Sequence, residues 1–204
     1  NHNAGGILVY DQPNLPLQGG HSHRVFNKKE DDNDTQNFAP KGNIVASVPT
    51  GTGVMIMANK NVHVFGNEIS GNKTSGVIVV GFQREIKDAS YEAIPMDIVV
   101  HDNNFGRNGW DPQFPGGAEI AKAIGGVLPP VVWDGAPTFS RTTGGVQTRV
   151  LNVNFRQGPV LNLRLPSVTG LLQANPAVTA TIDGSPVTEP KAVVLPAAQA
   201  KLAP

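Results

Sequence analysis

Apolar residues in this chain fall into short runs that recur. Three runs open on glycine and continue apolar: Gly6-Ile7-Leu8-Val9, Gly53-Val54-Met55-Ile56 and Gly76-Val77-Ile78-Val79. A second arrangement, Val62-x-Val64-x-x-Asn67-x-Ile69-x-x-Asn72, returns as Ile98-x-Val100-x-x-Asn103-x-Phe105-x-x-Asn108. Alternate side chains of a strand face opposite sides, so Val62, Val64 and Ile69 should point into one interior. Ile98, Val100 and Phe105 should meet them one repeat later. A strand-and-turn unit of this size cannot bury its own apolar face, so copies must stack, about 4.8 Å apart. The pattern predicts an all-β chain built on a parallel β-helix.

The rest of the chain reads around these units. Residues 6–10 are a strand and 11–22 a Pro/Gly loop. Residues 23–33 occupy the slot of the second pattern and fit it poorly: Val25 stands for Val64, Lys28 replaces the first Asn, and Glu30 replaces the inward Ile. Only Asn33 returns to the pattern, so this coil is expected to be irregular or to turn its charges to solvent. Residues 34–52 form a polar lateral loop, 53–82 the cleanest coil, 83–95 a charged loop and 97–108 the next strand and turn. The repeat stops beyond Trp110. A short helix is expected at 117–124, two strands within 148–165, and an extended Ala/Pro-rich tail over 174–204. This divides the chain into β-helix coils (1–109) and a non-repeating C-terminal region (110–204).

The glycine-led strands are apolar on both faces. Ile7/Val9, Val54/Ile56 and Val77/Val79 fill the interior, leaving Leu8, Met55 and Ile78 outside beside Tyr10, Met57 and Val80. Each large side chain left in water costs roughly 1.5–3 kcal/mol, and continuous apolar strands are usually covered on both sides. Part of residues 110–204, or a partner, should cover this sheet. Asn67 and Asn103 stand between strand and turn. Asn tolerates positive φ and bonds to nearby backbone, and stacked amides bond to one another. They read as a structural ladder in preference to a ligand site.

Composition narrows the classes. With 204 residues and 16 basic against 16 acidic side chains, one domain is the default. No basic stripe points to nucleic acid, and no apolar run approaches the ~20 residues of a membrane span. The absence of cysteine excludes disulfides, thiol nucleophiles and thiolate metal sites. The chain starts at Asn1, almost directly on the first coil. A stack that begins this abruptly has an unpaired end, so further residues or another chain are expected to cover it.

The segments Asn3–Asp11, Asn37–Pro40, Gly42–Val45, Gly51–Asn59 and Val62–Asn72 resemble the parallel β-helix repeat family of bacterial exported proteins, in particular members with a tandem pair of such repeats. The likeness covers roughly residues 3–108. It implies a right-handed β-helix, passage through the inner membrane, and a partner protein with cytochrome-like features encoded nearby. Lys28-Lys29-Glu30 departs from the family pattern, and the family supplies no catalytic residues.

Enzymes on this scaffold carry their sites where side chains of successive coils align. Pairing the two good repeats sets His63 beside Val99, Phe65 beside His101, Gly66 beside Asp102, Glu68 beside Asn104 and Gly71 beside Arg107. No column holds two carboxylates, so the paired acids of a glycosidase are absent from it. His101, Asp102 and Arg107 could serve a lyase as base and charge neutraliser; isolated polar turn groups are the plainer reading. Adding the irregular coil places Phe26, Phe65 and His101 in one column, a sugar-stacking platform or simply an outward ladder. Lys29 would lie beside Glu68 as a surface ion pair. Glu30-Asp31-Asp32-Asn33-Asp34 offers oxygen ligands to calcium but lacks the glycine and terminal Glu of an EF-hand. His21 and His23 would share one face of a strand, without a third metal ligand. Gly116-Gly117 and Gly144-Gly145 read as loop glycines.

The sequence therefore predicts a non-catalytic exported β-helix without a cofactor, periplasmic, cell-surface or extracellular. It would act as a structural or interaction module whose protein partner docks at the open N-terminal coil or the apolar flank. The alternative is a polysaccharide-active enzyme of lyase or epimerase type, or a carbohydrate-binding module.

Overall fold

The computed structural model describes residues 2–82, 84, 88, 90–135, 142–143, 146–147, 152–165, 175–194 and 196. Nine strands form three successive triplets: β1 (Gly5–Tyr10), β2 (His21–Phe26), β3 (Lys29–Asp31); β4 (Thr52–Met57), β5 (Lys60–Phe65), β6 (Glu68–Ser70); β7 (Ser75–Val80), β8 (Met96–His101), β9 (Asn104–Phe105). There follow α1 (Gly117–Ala123), β10 (Val131–Trp133), the short strands β11 (Thr142–Thr143) and β12 (Val146–Gln147), then β13 (Val153–Phe155), β14 (Val160–Asn162) and β15 (Ala177–Thr179). The chain is mostly β, with one short α-helix and one 3-10 turn (Ile44–Ser47) among the described residues.

Each triplet contributes one strand to each of three sheets. Sheet A runs β1-β4-β7-β10-β14-β15, sheet B runs β13-β8-β5-β2 and sheet C runs β3-β6-β9. Neighbours are parallel, except that β15 lies antiparallel on β14. β11 and β12 form a separate antiparallel pair.

The register stacks like on like. Ile7, Val54, Val77, Val131 and Val160 follow one another across sheet A. Val25, Val64, Val100 and Phe155 do so across sheet B. With Ile69 from sheet C these side chains form one core, in which Val54, Val64, Val77, Val100 and Phe155 are fully buried. Strands β10 and β14, which belong to the region expected to be non-repeating, continue sheet A, and β13 continues sheet B. The two strands expected within 148–165 are β13 and β14, and the tail docks through β15.

The corners obey a rule the sequence did not show. Ser22, Asn61, Asp97 and Asn152 all have positive φ at the entry to sheet B. Asn27, Gly66 and Asp102 have it between sheets B and C. The positive φ thus falls one residue before Asn67 and Asn103. The left-handed residue turns the backbone, and the next Asn is free to point inward. Asn67 Nδ2 donates to Asn103 Oδ1 at 2.8 Å and to Val25 O at 3.0 Å, while Asn67 Oδ1 accepts the Lys28 N–H at 2.9 Å. A second buried row runs from Asn33 Nδ2 to Asn72 Oδ1 (2.8 Å) and from Asn72 Nδ2 to Asn108 Oδ1 (2.9 Å).

Two expectations need correction. The coil over 23–33 is regular: Lys29, Glu30 and Asp31 pair in register with Glu68, Ile69 and Ser70. Glu30 does not face solvent; it keeps the inward position of Ile69 and is only 8% exposed. Gly6 makes room for it, since a Cβ there would strike the Glu30 carboxylate. The outer face of sheet A is also covered from two sources. Residues after 110 supply Ile120 and Ala121 of α1 with Leu128, Leu163 and Leu165, packed on Ile78, Val132 and Leu161. Met55 and Met57 are instead covered by lateral loops of the early coils, through Ile44, Val45, Val48, Phe82 and Tyr91. The Tyr91 hydroxyl donates to Asp11 O at 2.8 Å, tying this loop to the one that follows β1. A helix as short as α1 is marginal in isolation, so its apolar face on sheet A holds it.

Candidate functional site

Three surfaces were open to function: the outer face of sheet B, the outer face of sheet A, and the end formed by β1, β2 and β3.

On sheet B the Phe26–Phe65–His101 column forms. Phe26 and Phe65 stack at 5.4 Å with 7° between planes, and Phe65 and His101 at 5.2 Å with 5°. Both faces of Phe65 are therefore taken by its neighbours, and a sugar ring would meet ring edges there. Arg24 lies against both phenylalanines, 4.6 Å and 5.5 Å from the ring centres. Its Nε also donates to Glu189 Oε1 at 2.6 Å, so the C-terminal tail reaches this face. The tail is held further along by Asn154, whose Oδ1 accepts the Gly184 N–H at 2.8 Å and whose Nδ2 donates to Ser185 O at 3.0 Å.

His63 occupies the middle of this face and is 2% exposed. Neither of its ring nitrogens has a hydrogen-bond partner. Burial holds its pKa below the usual imidazole value, with the Glu189 charge acting in the opposite sense and His101, Arg156 and Arg24 adding to the lowering. A neutral, enclosed imidazole of this kind is a poor general base for an external substrate, because access and proton exchange are both restricted.

The lyase-like trio does not assemble. His101 Nδ1 lies 2.8 Å from Asp102 Oδ2, but the Asp102 side chain is 86% exposed. Arg107 lies beyond β9, with its guanidinium 4.6 Å over the Trp110 ring. Lys29 faces Glu68 in the ladder, and its Nζ approaches Asp31 at 3.4 Å. His21 Nδ1 bonds to Ser22 Oγ at 2.8 Å. The His23 pKa is lowered by burial and then by His21. Among the described residues no three metal-ligating side chains of the His, Cys, Asp and Glu type come together. Gly116 caps α1 at positive φ, whereas Gly144 and Gly145 lie outside the described residues.

No family model, curated protein or solved structure matches this chain. What it can do therefore has to come from its own geometry.

Between the two covers of sheet A lies a cleft of about 270 Å³, floored by Met55, Met57, Ile78, Val80 and Val132. Its carboxylate, Asp134, is fully buried and accepts the Gly81 N–H at 2.7 Å. Its guanidinium, Arg84, donates to Gly42 O and Asn43 O and so fastens the lateral loop. Its lining hydroxyl, Ser47, donates to Ile44 O at 2.6 Å within the lateral loop.

The two ends of the sheets differ. At one end β15 closes sheet A antiparallel, and Ile182 bridges Phe155 to close sheet B. At the other, β1, β2 and β3 are all edge strands in their sheets. Asn33 ends its amide row there with a buried Oδ1 that has no hydrogen-bond partner. Sequence reading missed Glu30 as an inward group, His63 as a buried one and the Arg24–Glu189 contact. The last two join segments far apart in the chain, and no local pattern marks them.

Proposed function

We propose that this chain is a right-handed parallel β-helix that serves as a non-catalytic structural or protein-interaction module in an exported, cell-envelope or surface assembly. Strands that visit sheets A, B and C in rotation, with two amide rows along the corners, support the solenoid. The observation that carries the function is that, among the described residues, β1, β2 and β3 are edge strands of their sheets while β15 lies antiparallel at the opposite end of sheet A. Unpaired edges are templates for further strands, and strand addition is an established mode of protein recognition. Hydrogen exchange on the intact protein tests this. The edge-facing amides of β1 and β2 should exchange fast while β4, β5, β7 and β8 are protected; equal protection of β1 and β2 would sink the docking role.

The His101–Asp102 contact favours a second reading, a polysaccharide-active enzyme. Incubation with a panel of acidic polysaccharides, followed by ultraviolet absorbance of unsaturated product, decides between them. We expect none; product formation would overturn the non-catalytic role.

A further inference from the structure

Independently of the sheet edges, we propose that residues 184–189 form a strap across the outer face of sheet B that opens in mild acid, with His63 beneath it as the trigger.

The register fixes the path of the strap. Arg24, His63, Val99 and Asn154 are successive partners across β2, β5, β8 and β13, so they form one outward column. Three steps between strands, at about 4.8 Å each, span about 14 Å. The tail is held at both ends of that column. Asn154 binds the Gly184 N–H and Ser185 O at one end, and Arg24 binds Glu189 at the other. The four steps from Ser185 to Glu189 reach about 13–14 Å when extended, so Pro186, Val187 and Thr188 run across Val99 and His63. Burial agrees: Val99 and His63 are 3% and 2% exposed on an outward face. Val187 is half-buried between exposed Pro186 and Thr188.

The strap is lightly fastened. Among the described residues, its backbone enters no strand or bridge after Ile182 pairs with Phe155. Pro186 and Pro190 have no N–H to donate. Segments held by so few contacts open ahead of the fold as a whole.

His63 makes that opening sensitive to acid. Neither ring nitrogen has a hydrogen-bond partner, and a charged ring would leave two N–H donors unpaired. Arg24 acts on it from β2, Arg156 from beyond β13 and His101 from β8, where the two rings meet edge-on at 6.4 Å. Its own strand sets uncharged Phe65 beside it. The anion acting on it is Glu189 of the strap, and Arg24 already binds that carboxylate. A proton added beneath the closed strap thus creates a buried charge among cations. Lifting the strap gives both nitrogens water. Burial holds the His63 pKa down, so the closed form resists the proton and the open form takes it; falling pH favours the open form. Opening uncovers Val99 and His63 and frees Arg24 beside the Phe26–Phe65 stack.

The chain has no cysteine, so Val99→Cys places a single thiol under the strap of the full chain. Its labelling rate, divided by the rate in denaturant at the same pH, reads the opening. This ratio should rise by up to about tenfold per pH unit below the ordinary histidine value of about 6.5, as linkage to one proton requires. Amides of β5 and β8 should stay protected throughout. Adding His63→Gln should make the ratio indifferent to pH, and adding Glu189→Gln should raise it at neutral pH. Protection of the Gly184 amide in the unaltered chain, corrected for intrinsic exchange, should follow the same curve and is read even where a substitution impairs folding. A ratio that ignores acid, or a slope that survives His63→Gln, overturns the proposal. So does loss of β5 and β8 protection together with the strap, which would make the acid response unfolding of the whole.

Discussion

Asn67 uses both halves of its amide inside the corner between sheets B and C, accepting from the Lys28 N–H and donating to Asn103 and Val25. At 1% exposure water cannot replace those partners. Asn67→Ala should therefore cost about 2–3 kcal/mol, since buried groups left unpaired lose their full desolvation energy; denaturant unfolding measures it. His63 gives a pH signature. Its folded pKa is depressed, so the unfolded chain binds the proton more readily. Stability should be intact above the ordinary histidine range and fall as pH drops through it, until the lowered folded value is passed. His63→Leu should flatten that fall in an unfolding series from neutral to mild acid. The need for polar residues at these corners was legible in the repeat. Which residue takes positive φ was not, because Asn67 follows Gly66 and Asn103 follows Asp102, and both members of each pair can adopt it.

Among the elements, α1 and β14 show how the cover of sheet A is held. Leu161 on β14 is fully buried within the outer cluster and shares it with Ile120, Ala121 and Val132. Leu161→Ala should cost about 2–5 kcal/mol, the usual range for a buried leucine whose cavity cannot collapse, read as a lowered denaturant midpoint. The six-residue strands of sheet A, β1, β4 and β7, could be read from glycine followed by apolar residues. β10 could not: Val131-Val132-Trp133 is too short for periodicity to identify. It finds sheet A only because Val77, Ile78 and Val79 already present a matching edge.

For the molecule as a whole, Glu30 matters because it is a carboxylate held inside the first triplet of strands, in register with Ile69. Its raised pKa means that the folded state keeps the proton longer than the unfolded chain. The associated stability is fully present below the ordinary carboxylate value and is lost as pH rises through the elevated one. Glu30→Gln should thus raise the unfolding free energy at neutral pH and leave it nearly unchanged in acid. Urea titrations at both conditions check the sign.

The sequence by itself determined the rungs: alternation fixes which side chains point inward, and recurrence makes Val62 meet Ile98 and Asn67 meet Asn103. Only the tertiary structure decided that Glu30 stays inside, that lateral loops share the cover of sheet A, and that Glu189 reaches Arg24 across the chain. The reason is physical. Periodicity encodes contacts between equivalent positions, whereas these three depend on how much space is left between unlike segments once the rungs have stacked.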